Sequence, residues 1–506
     1  MNRYKLSMYS ILFPMEDDGH HTVLRNGLYG AVDIITEEEA VLLRNGQTDR
    51  ISPETTARLS SRGHFVRAEE DETENAAIIS RVHWLIPYTK FVDIVVLPTY
   101  NCNFRCSYCF ERCRLEKGQE WLSHRMSDAT ADAVIGQLEN MRKRGISIRS
   151  VVLFGGEPLL TSNEDNIRKW IDYSIRIGAP YSVVSNGYEL DHFLKLFREH
   201  PPKHIQITVD GPAEIHDSRR FLAGGKGSFA RIMENIGKAV AQGITINVRT
   251  NVNRSNLESA MTLPGEYSRL GLTGNPHFSW YFKATTGCYE EDPANAISEE
   301  ELFNAMIQSG LTREETIAHC RYYTAAAAQL TQTLRGHSYP PLKPAFCGAC
   351  SDMITVDPDG VLYTCWDTVS LEEYSVGFLD TDRQKFIYNF DFPKWRNRTA
   401  DKIEKCRACP FIMLCGGGCA MEAIQLKGSL LSENCGDIPA IQREIVPSVC
   451  REAFLKTGEL PPGFSWYDLF TDLTAEDRET LMTCTDSGKV WSLVKKQMPE
   501  SDKIFS

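Results

Sequence analysis

The sequence predicts an α/β fold built around a partial barrel of six parallel strands. Six apolar segments of strand length alternate with segments whose apolar residues repeat at helical spacing, a pattern typical of parallel sheets. A loop with three closely spaced cysteines directly follows the first of these strands. At 506 residues the chain is too long for a single hydrophobic core. We therefore expect a TIM-like (β/α)6 barrel accompanied by further domains.

The barrel elements follow one another between residues 92 and 282. The predicted strands are Val92–Leu97, Ser150–Phe154, Ser182–Ser185, Ile205–Val209, Thr245–Thr250 and Phe278–Phe282. The helices predicted between them are Asp128–Lys143, Asn163–Ile177, Asp191–Glu199, Phe229–Gln242 and Leu257–Leu270. Because the C-terminal ends of parallel strands meet at one mouth of a barrel, the cysteine loop and the segments after the next strands are expected to lie together.

The composition is that of an acidic globular protein. Its net charge is −12, so the positive surface typical of nucleic-acid-binding proteins is not expected. No apolar segment reaches the length of a membrane span, and the N-terminus lacks the apolar core of a signal peptide. These observations predict a cytoplasmic protein with neither nucleic-acid nor membrane partners.

Sixteen cysteines are conspicuous in a protein expected in a reducing compartment. Disulfides are rare there, so clustered cysteines indicate metal ligands. Cys102, Cys106 and Cys109 have the spacing Cys-x3-Cys-x2-Cys. Three thiolates can hold a 4Fe–4S cluster and leave one iron free to bind a small molecule. A zinc site is the alternative, but structural zinc takes four ligands, and no fourth Cys or His stands at the usual spacing.

The N-terminal segment contains several short elements. They are predicted as a strand at Tyr9–Phe13, a hairpin of Thr22–Leu24 with Leu28–Ile35, and helices at Glu37–Arg44 and Pro53–Ser61. Asn26-Gly27 predicts a tight turn within the hairpin. The acidic segment Glu69–Glu74 is interpreted as a solvated linker or helix face.

The cysteine loop and the loop after the second strand resemble the radical S-adenosylmethionine (SAM) superfamily. That family has Cys-x3-Cys-x2-Cys with an aromatic residue before the third cysteine, the position of Tyr108 here. Gly155-Gly156-Glu157-Pro158 matches the family's GGEP loop, which contacts the amino group of SAM. Paired glycines allow close backbone approach, and a carboxylate accepts hydrogen bonds from an ammonium group. The resemblance implies that Tyr108, Gly155, Gly156 and Glu157 bind SAM.

The third and fourth strand ends extend this resemblance. Ser185-Asn186-Gly187 is similar to a family turn, and it also fits an Asn-Gly turn without a ligand. Residues 208–220, with Thr-Val-Asp-Gly-Pro followed by His-Asp-Ser-Arg-Arg, resemble a signature of the branch that includes anaerobic sulfatase maturases and peptide-modifying enzymes. The resemblance implies that Ser185, Thr208 and Arg220 contact SAM, since arginine suits a carboxylate. The alternative for Arg220 is a surface helix arginine, which Arg219 could be instead, and Arg249 and Asn251 are further candidates.

The second cysteine-rich region resembles the auxiliary-cluster extension called SPASM. Residues 406–419 meet its spacing Cys-x2-Cys-x5-Cys-x3-Cys, although alone they also fit a zinc knuckle. The resemblance implies two 4Fe–4S clusters, the first held by Cys347, Cys350, Cys365 and Cys419 and the second by Cys406, Cys409, Cys415 and Cys435. Either Cys347 or Cys350 meets the first spacing, so a first cluster with only one of them as a ligand and an open iron is the alternative. Cys450 is the alternative last ligand of the second cluster. Four cysteines without an assigned role are expected to be buried: Cys113, Cys288, Cys320 and Cys484.

The N-terminal hairpin and helices resemble the winged-helix leader-peptide-recognition domains of enzymes that modify ribosomally made peptides. A purely structural extension is the alternative. We therefore expect five segments. They are a winged-helix-like peptide-recognition domain at 1–80, a radical SAM partial barrel at 86–290, a helical connection at 291–345, a Cys-rich SPASM domain at 346–455 and a helical tail at 456–506.

Together these resemblances imply a radical SAM/SPASM enzyme. The implied cofactors are SAM and three 4Fe–4S clusters, one of which binds SAM. The family's chemistry uses a 5′-deoxyadenosyl radical, which here would abstract hydrogen from a residue of a precursor peptide with a leader segment. The expected product is a thioether crosslink, a C–C crosslink or a related oxidation. An external electron donor of the flavodoxin or ferredoxin type is the expected partner.

Two other functions are weighed against this one. An anaerobic sulfatase maturase converts Cys or Ser to formylglycine, but those enzymes carry a catalytic Asp directly after the cysteine that is Cys365 here. Trp366 stands at that position and Asp367 comes after it. A non-catalytic iron–sulfur electron carrier or scaffold would need a damaged SAM site, whereas the Gly155–Pro158 loop and Arg220 are both present.

Overall fold

The chain divides into two compact units. The structure, a computed structural model, describes residues 4–15, 20–109, 111, 123–286, 292–458, 460 and 463–498. The cysteine-rich unit comprises Met1–Thr89, Tyr322–Ser351 and Asn397–Ser506, and the barrel unit comprises Lys90–Arg321 and Asp352–Arg396. Among the described residues no helix is both long and apolar enough to cross a membrane. Cys113 and Cys288 lie outside the described residues.

The cysteine-rich unit begins with antiparallel strands. They are β1 (Tyr4–Leu6), β2 (Ser10–Pro14), β3 (His21–Asn26), β4 (Val32–Thr36) and β5 (Phe65–Arg67). Strands β2, β3 and β4 form a three-stranded sheet, and β1 pairs with β5. The helices of this unit are Glu37–Arg44, Pro53–Ser61, Glu72–Lys90, Arg321–Leu334, Ile412–Cys415, Ala420–Lys427, Ile438–Thr457, Ala475–Thr483 and Ser487–Gln497. The predicted N-terminal strands and both predicted helices are therefore present.

The first and last segments of the chain share one hydrophobic core. Tyr29 from the N-terminal segment, Met413 from the cysteine-rich segment and Trp466 from the C-terminal segment belong to the same buried cluster. The Trp466 indole N–H donates to the carbonyl of Pro340 at 2.9 Å. Since burying large apolar side chains is the main stabilising contribution to a fold, these segments stabilise one another.

The acidic segment Glu69–Glu74 leads into a helix that the sequence analysis did not identify. The helix spans Glu72–Lys90, and Glu72 at its start is buried. The Ser7 hydroxyl donates to the Glu72 carboxylate, and the backbone N–H of Met8 donates to it at 3.0 Å. An acidic side chain in the first turn of a helix also interacts favourably with the helix dipole. Of the two interpretations of this segment, the helix face therefore fits Glu72–Glu74, but Glu72 is buried rather than solvated.

The turn at Asn26-Gly27 is longer than the one predicted between Thr22–Leu24 and Leu28–Ile35. Five residues separate β3 from β4. The Asn26 side-chain oxygen accepts from the N–H groups of Leu28 at 2.9 Å and Tyr29 at 2.8 Å. Its amide nitrogen donates to the carbonyl of Gly63 at 3.0 Å. The buried Asn26 side chain therefore replaces the short-turn geometry that the dipeptide predicts.

Gly27 allows the N-terminal sheet to approach the loop of the second cysteine cluster. A Cβ atom at Gly27 would lie 1.8 Å from the carbonyl oxygen of Pro410. The carbonyl of Gly27 accepts from the backbone N–H of Met413 at 3.0 Å. Only glycine fits this backbone contact.

Charged side chains surround two buried residues of the N-terminal segment, Asp33 and His64. Asp33 of β4 accepts from Arg58 at 2.8 Å and from Arg62 at 2.5 Å. His64 lies between Asp33, at 3.1 Å from its Nε2, and the Ser10 hydroxyl, at 3.1 Å from its Nδ1. Burial alone would raise the pKa of Asp33, but its bond with His64 and the charge of Arg62 hold that pKa well below its ordinary value. Burial lowers the pKa of His64 despite the bond to Asp33.

The barrel unit contains a single sheet of ten strands. They are β6 (Phe91–Val96), β7 (Ser147–Leu153), β8 (Tyr181–Ser185), β9 (Ile205–Thr208), β10 (Ile246–Val252), β11 (Phe278–Ala284), β12 (Met353–Val356), β13 (Val361–Tyr363), β14 (Gly377–Asp380) and β15 (Lys385–Tyr388). The order is β11-β10-β9-β8-β7-β6-β12-β13-β14-β15. Strands β6 to β11 are parallel, which confirms the α/β class and the six predicted barrel strands.

Strands β12 to β15 continue the barrel sheet. β12 pairs in parallel with β6, and β13, β14 and β15 come next as antiparallel strands. The sequence analysis placed all of residues 346–455 in one Cys-rich domain. The two units divide that segment differently, because the hydrogen bonds of β12 connect it to the barrel.

Helices connect the barrel strands as expected. The helices of this unit are Asp128–Lys143, Glu164–Ile177, Leu190–Glu199, Ala213–Arg219, Phe229–Ala241, Leu257–Ala260, Leu263–Arg269, Glu299–Gln308, Arg313–His319 and Asp391–Arg396. The predicted helix Leu257–Leu270 is two shorter helices. Pro264 lies in the first turn of the second one, where proline is tolerated because it has no N–H to donate to the preceding turn.

Replacing Gly27 by Ala is expected to destabilise the cysteine-rich unit. The added Cβ would collide with the Pro410 carbonyl, and forced repacking of this kind costs about 1–3 kcal/mol. The measurement is the apparent melting temperature of the full-length chain. Gly237→Ala is the control, because Gly237 lies in a helix with open space around its Cβ position. An unchanged melting temperature for Gly27→Ala would contradict the contact.

His64→Gln is expected to reduce the loss of stability in acid. His64 has a folded pKa below its unfolded value, so its contribution is complete above about pH 6.5 and falls by about 1.4 kcal/mol per pH unit below it. Glutamine can retain both hydrogen bonds but takes up no proton. Urea unfolding at pH 7.5 and 5.5 measures the difference. The wild-type chain measured under the same conditions is the reference, and an equal pH dependence of both chains would contradict the prediction.

Candidate functional site

The three-cysteine loop follows β6 and is anchored by backbone hydrogen bonds. The N–H of Arg105 donates to the carbonyl of Phe221 at 2.9 Å, and the N–H of Ser107 donates to that of Arg219 at 3.0 Å. The N–H of Phe104 points at the sulfur of Cys102 at 3.4 Å. The loop is therefore held against the segment that comes after β9.

Gly156 packs the loop after β7 directly onto the cysteine loop. Its N–H donates to the carbonyl of Thr99 at 3.2 Å, and the next N–H, of Glu157, donates to that of Asn101 at 2.8 Å. A Cβ at Gly156 would lie 2.3 Å from the Asn101 carbonyl oxygen. Gly155 has a φ of +129°, which also favours glycine. The glycine pair therefore lets the backbone of the loop after β7 lie close to the cysteine loop.

The Glu157 carboxylate is buried and satisfied by three donors of the chain. It accepts from the N–H of Leu159 at 2.9 Å, from the hydroxyl of Ser185 at 2.7 Å and from the N–H of Asn186 at 2.6 Å. Burial raises the pKa of Glu157 to about 7, against the effect of these bonds. Glu157 and Ser185, both predicted to contact SAM, therefore contact each other and join the ends of β7 and β8.

Tyr108 lies at the centre of a buried polar network. Its hydroxyl donates to the carboxylate of Asp210. It accepts from Arg220 at 2.8 Å and lies 3.3 Å from the amide nitrogen of Asn251. The N–H of Asn251 donates to the second Asp210 oxygen at 3.0 Å. This network joins the cysteine loop to the ends of β9 and β10.

Thr208 and Arg249 lie on the face of the sheet that carries this network. They are register partners on β9 and β10, so their side chains project to the same side. Asn251, two positions after Arg249, shares that face and contacts Tyr108. Arg249 donates from Nε to the Asn251 side-chain oxygen at 2.8 Å. One mouth of the barrel therefore carries two residues predicted from the sequence, Thr208 and Arg220, and the two further candidates, Arg249 and Asn251.

Arg219 and Asp210 are site residues that the sequence analysis missed. Arg219 was considered as a surface helix arginine, but it is buried, and its guanidinium lies 5.0 Å from the centre of the Tyr108 ring. Asp210 is fully buried. Its place in the Thr-Val-Asp-Gly-Pro motif was a signal that could have identified it.

The arginines of this network fit an anionic group. Among the described residues, Nε and Nη2 of Arg219 and Nε of Arg220 are buried without a hydrogen-bond partner. Burial would lower the pKa of Arg220, but Cys106, Tyr108 and Asp210 raise it above its ordinary value, so it stays charged. Buried N–H groups without a partner are costly, and a carboxylate or a thiolate-bound cluster would compensate them.

The three thiols of the cysteine loop are the groups that could hold an iron–sulfur cluster, since three thiolates can each bind a different iron of a 4Fe–4S cluster. Burial raises the pKa of the Cys102 thiol, with further effects from Glu157, Cys106 and Cys109, so the three thiols are in electrostatic range. Binding to iron would lower the pKa of these thiols and remove their protons.

Four cysteines of the second predicted cluster lie within electrostatic range in the cysteine-rich unit. Burial raises the pKa of Cys406 to about 12, and Cys415, Cys409 and Cys435 contribute to the increase. Cys450 lies instead within the helix Ile438–Thr457, fully buried, with Arg25 as its charged neighbour.

The cysteines of the first predicted cluster differ in their exposure to solvent. Cys350 and Cys365 are buried, Cys419 is half-buried and Cys347 is exposed. Of the cysteines without a role, Cys320 is buried as expected and Cys484 is half-buried.

The residue after Cys365 is an aromatic one that packs at the end of β7. The Trp366 ring stacks on Phe154, with 5.6 Å between ring centres and 24° between planes. Phe154 directly precedes the glycine pair. Nearby, the Tyr100 hydroxyl donates to the Asp357 carboxylate, which also accepts from the N–H of Val361 at 2.8 Å. The β12–β13 turn is thereby tied to the segment that leads into the cysteine loop.

Comparison with known proteins is consistent with this geometry. The cysteine-type anaerobic sulfatase-maturating enzyme of Clostridium novyi (strain NT) is 25% identical over 353 residues, covering 65% of this chain and 88% of that enzyme. The serine-type anaerobic sulfatase-maturating enzyme of Bacteroides thetaiotaomicron is 28% identical over 180 residues, or 34% of this chain and 42% of that enzyme. The solved structure of native anSMEcpe with bound AdoMet and Cp18Cys peptide has the same fold, with a TM-score of 0.53 and 17% identity over 72% of this chain and 99% of that one.

The family model that matches this chain spans the strand ends that carry the site. It is that of the radical SAM superfamily, and it matches residues 96–260, from the end of β6 to just beyond β10. This range contains the cysteine loop, the glycine pair and the Tyr108 network. The chain therefore contains a radical SAM domain at residues 96–260, and it is an enzyme.

Proposed function

We propose that this enzyme modifies a ribosomally made precursor peptide that carries a leader segment. It abstracts hydrogen from a residue of the peptide and installs a thioether crosslink, a C–C crosslink or a related oxidation. The observation that carries this choice is Trp366, stacked on Phe154 where a sulfatase maturase has its catalytic Asp. An indole cannot act as the base that a carboxylate provides.

The residues around the cysteine loop have distinct tasks in this proposal. Cys102, Cys106 and Cys109 hold a 4Fe–4S cluster, which together with SAM supplies a 5′-deoxyadenosyl radical when bound. Arg220, with its unpaired Nε, clamps the carboxylate of SAM. Asp210 keeps the Tyr108 hydroxyl oriented toward this arginine.

The loops at the first three strand ends form a support for SAM. Gly155 and Gly156 bring the loop after β7 onto the cysteine loop, and Glu157 and Ser185 fix its orientation. Backbone carbonyls in this support accept from the amino group of SAM. Thr208 contributes its hydroxyl from the end of β9. Precise positioning of both reactants is a large part of what an enzyme of this kind contributes.

Two auxiliary 4Fe–4S clusters complete the proposal, for a total of three. Cys347, Cys350, Cys365 and Cys419 hold the first, and Cys406, Cys409, Cys415 and Cys435 hold the second. The electrostatic range between Cys435 and Cys406 supports Cys435 as the last ligand, since Cys450 is enclosed in a helix. When bound, these clusters would supply an acceptor for the electron that the oxidised peptide returns, and an external donor of the flavodoxin or ferredoxin type would supply electrons to the SAM cluster in the cytoplasm.

The N-terminal residues 1–80 recognise the leader segment in this proposal. Their three-stranded antiparallel sheet and two short helices support it, since a sheet edge can pair with an extended peptide. Deletion of this segment is not a clean test. Tyr9, Leu28 and Tyr29 belong to a core shared with Trp466, so deletion would expose that core.

The second candidate function is that of an anaerobic sulfatase maturase. It is favoured by the 25% identity with the Clostridium novyi enzyme. In that case Asp367, rather than Asp at position 366, would have to serve as the base. A non-catalytic iron–sulfur carrier is disfavoured, because Tyr108, Asp210 and Arg220 form an intact network.

The test is anaerobic reconstitution of the full-length enzyme, followed by assay and peptide analysis. With SAM and dithionite we expect 5′-deoxyadenosine and methionine, and none with Cys102, Cys106 and Cys109 replaced by Ala. Co-expression with short peptides encoded beside the gene, followed by mass spectrometry, is expected to show loss of a pair of hydrogens per crosslink. Conversion of a sulfatase cysteine to formylglycine, with loss of sulfur, would identify a maturase instead. A fully reconstituted enzyme that makes no 5′-deoxyadenosine would contradict both functions.

Gly156→Ala is expected to lower the rate of 5′-deoxyadenosine formation by about 100-fold. The added Cβ would displace the loop after β7 from the Asn101 carbonyl, and a misplacement of about 1 Å is enough for such a loss. Gly237→Ala, in a helix with open space at its Cβ, is expected to leave the rate unchanged. Iron content measured beside the rate separates displacement from loss of the cluster. A Gly156→Ala rate within threefold of wild type would argue against the loop contact.

A further inference from the structure

Arg398 is a fully buried arginine of the cysteine-rich unit whose hydrogen-bond partners are all backbone carbonyls. It has 0% exposure. Its Nε donates to Leu430 at 2.6 Å and its Nη1 donates to Gly418 at 2.9 Å. Its Nη2 donates to Gly417 and to Ser432, each at 3.0 Å. One guanidinium thus connects two separate stretches of backbone.

Both stretches lie beside proposed ligands of the second auxiliary cluster. Gly416, Gly417 and Gly418 connect Cys415 to Cys419, and all three glycines have positive φ angles. The other stretch, residues 430–432, precedes Cys435. The two stretches also contact each other, because a Cβ at Gly418 would lie 1.6 Å from the carbonyl oxygen of Asn434. Arg398 therefore shapes the loops that present these cysteines.

The charge of Arg398 has no carboxylate partner among the described residues. Its contacts are neutral carbonyl dipoles, which satisfy its N–H groups without cancelling its charge. Gly417, whose carbonyl accepts from Arg398, follows Cys415 closely, and Ser432, whose carbonyl also accepts from it, precedes Cys435. A buried charge is normally paired, because desolvation is costly. A cluster held by these cysteines would supply the negative charge that pairs with Arg398.

We propose that Arg398 is the internal counter-charge of the second auxiliary cluster and raises its reduction potential. This inference rests on the proposed ligation of that cluster by Cys406, Cys409, Cys415 and Cys435. Four thiolates give the oxidised cluster a net negative charge, and uptake of one electron from an external reductant makes it more negative. A fixed positive charge in a water-excluded site stabilises the reduced form more than the oxidised form. The cluster is thereby made a better electron acceptor.

The experiment is a redox titration of the full-length reconstituted enzyme, with dithionite as reductant and electron paramagnetic resonance as readout. The signal that Cys409→Ala removes identifies the second auxiliary cluster. Arg398→Gln is expected to lower its ratio of reduced to oxidised cluster about tenfold at a given potential, which is about 59 mV for one electron. Arg398→Lys keeps the charge with fewer hydrogen bonds and is expected to stay near the wild-type midpoint.

Arg407→Gln is the matched control. Arg407 lies between Cys406 and Cys409 but is exposed, so water screens its charge and the midpoint is expected to stay unchanged. Equal midpoints for Arg398→Gln and wild type, or equal shifts for the Gln and Lys variants, would overturn the role of the charge. If the cluster is lost in Arg398→Gln but kept in Arg398→Lys, the role of the charge is supported. If the cluster is lost in both of these variants, that role is overturned. If Cys409→Ala removes no signal, the proposed cluster itself fails, and that failure is distinguishable from the others.

Discussion

The contact between Gly156 and the Asn101 carbonyl is the constraint on which the rest of the site depends. Two loops that extend from adjacent parallel strands are held in backbone contact, and no side chain larger than hydrogen fits between them. This contact positions Glu157, and the Glu157 carboxylate accepts hydrogen bonds from Ser185 and Asn186. Three strand ends are thus set by one glycine and one buried acid. A support of this kind is rigid, because each hydrogen bond is shielded from water.

The ends of β9 and β10 are joined to the cysteine loop by hydrogen bonds among charged and polar side chains, rather than by close backbone packing. Tyr108 extends from the cysteine loop to Asp210, and Arg220 and Asn251 complete the contact. Arg219 adds a second buried guanidinium over the Tyr108 ring. The Asp210 carboxylate faces two buried arginines, so a net positive charge remains beside the cysteine loop. That charge is what an anionic cofactor group requires in a low-dielectric site.

In the cysteine-rich unit, a buried arginine is held by backbone carbonyls instead of by a carboxylate. Arg398 gathers two loops by four hydrogen bonds, and three consecutive glycines give the chain the left-handed conformations that the loop needs. Gly27 lets the N-terminal sheet approach the same region through the Pro410 carbonyl. The N-terminal and C-terminal segments therefore contribute to the environment of the proposed cluster, although they are distant in sequence. Their shared core with Trp466 makes them parts of one folding unit.

The sequence by itself determined the six parallel strands, their connecting helices, the cysteine loop and the motifs at the strand ends. The strands and helices follow from local periodicity, whereas the cysteine loop and the motifs follow from residue spacing and family resemblance, and the parallel arrangement then brings the strand ends to one mouth. The burial of Arg219, the pairing of Glu157 with Ser185 and the addition of β12 to the barrel sheet were decided only by the tertiary structure. Each depends on which residues from distant segments meet, and local periodicity carries no information about that. The helix beginning at buried Glu72 escaped prediction for the same reason, because its acidic sequence is compatible with solvent until Ser7 and Met8 supply the donors.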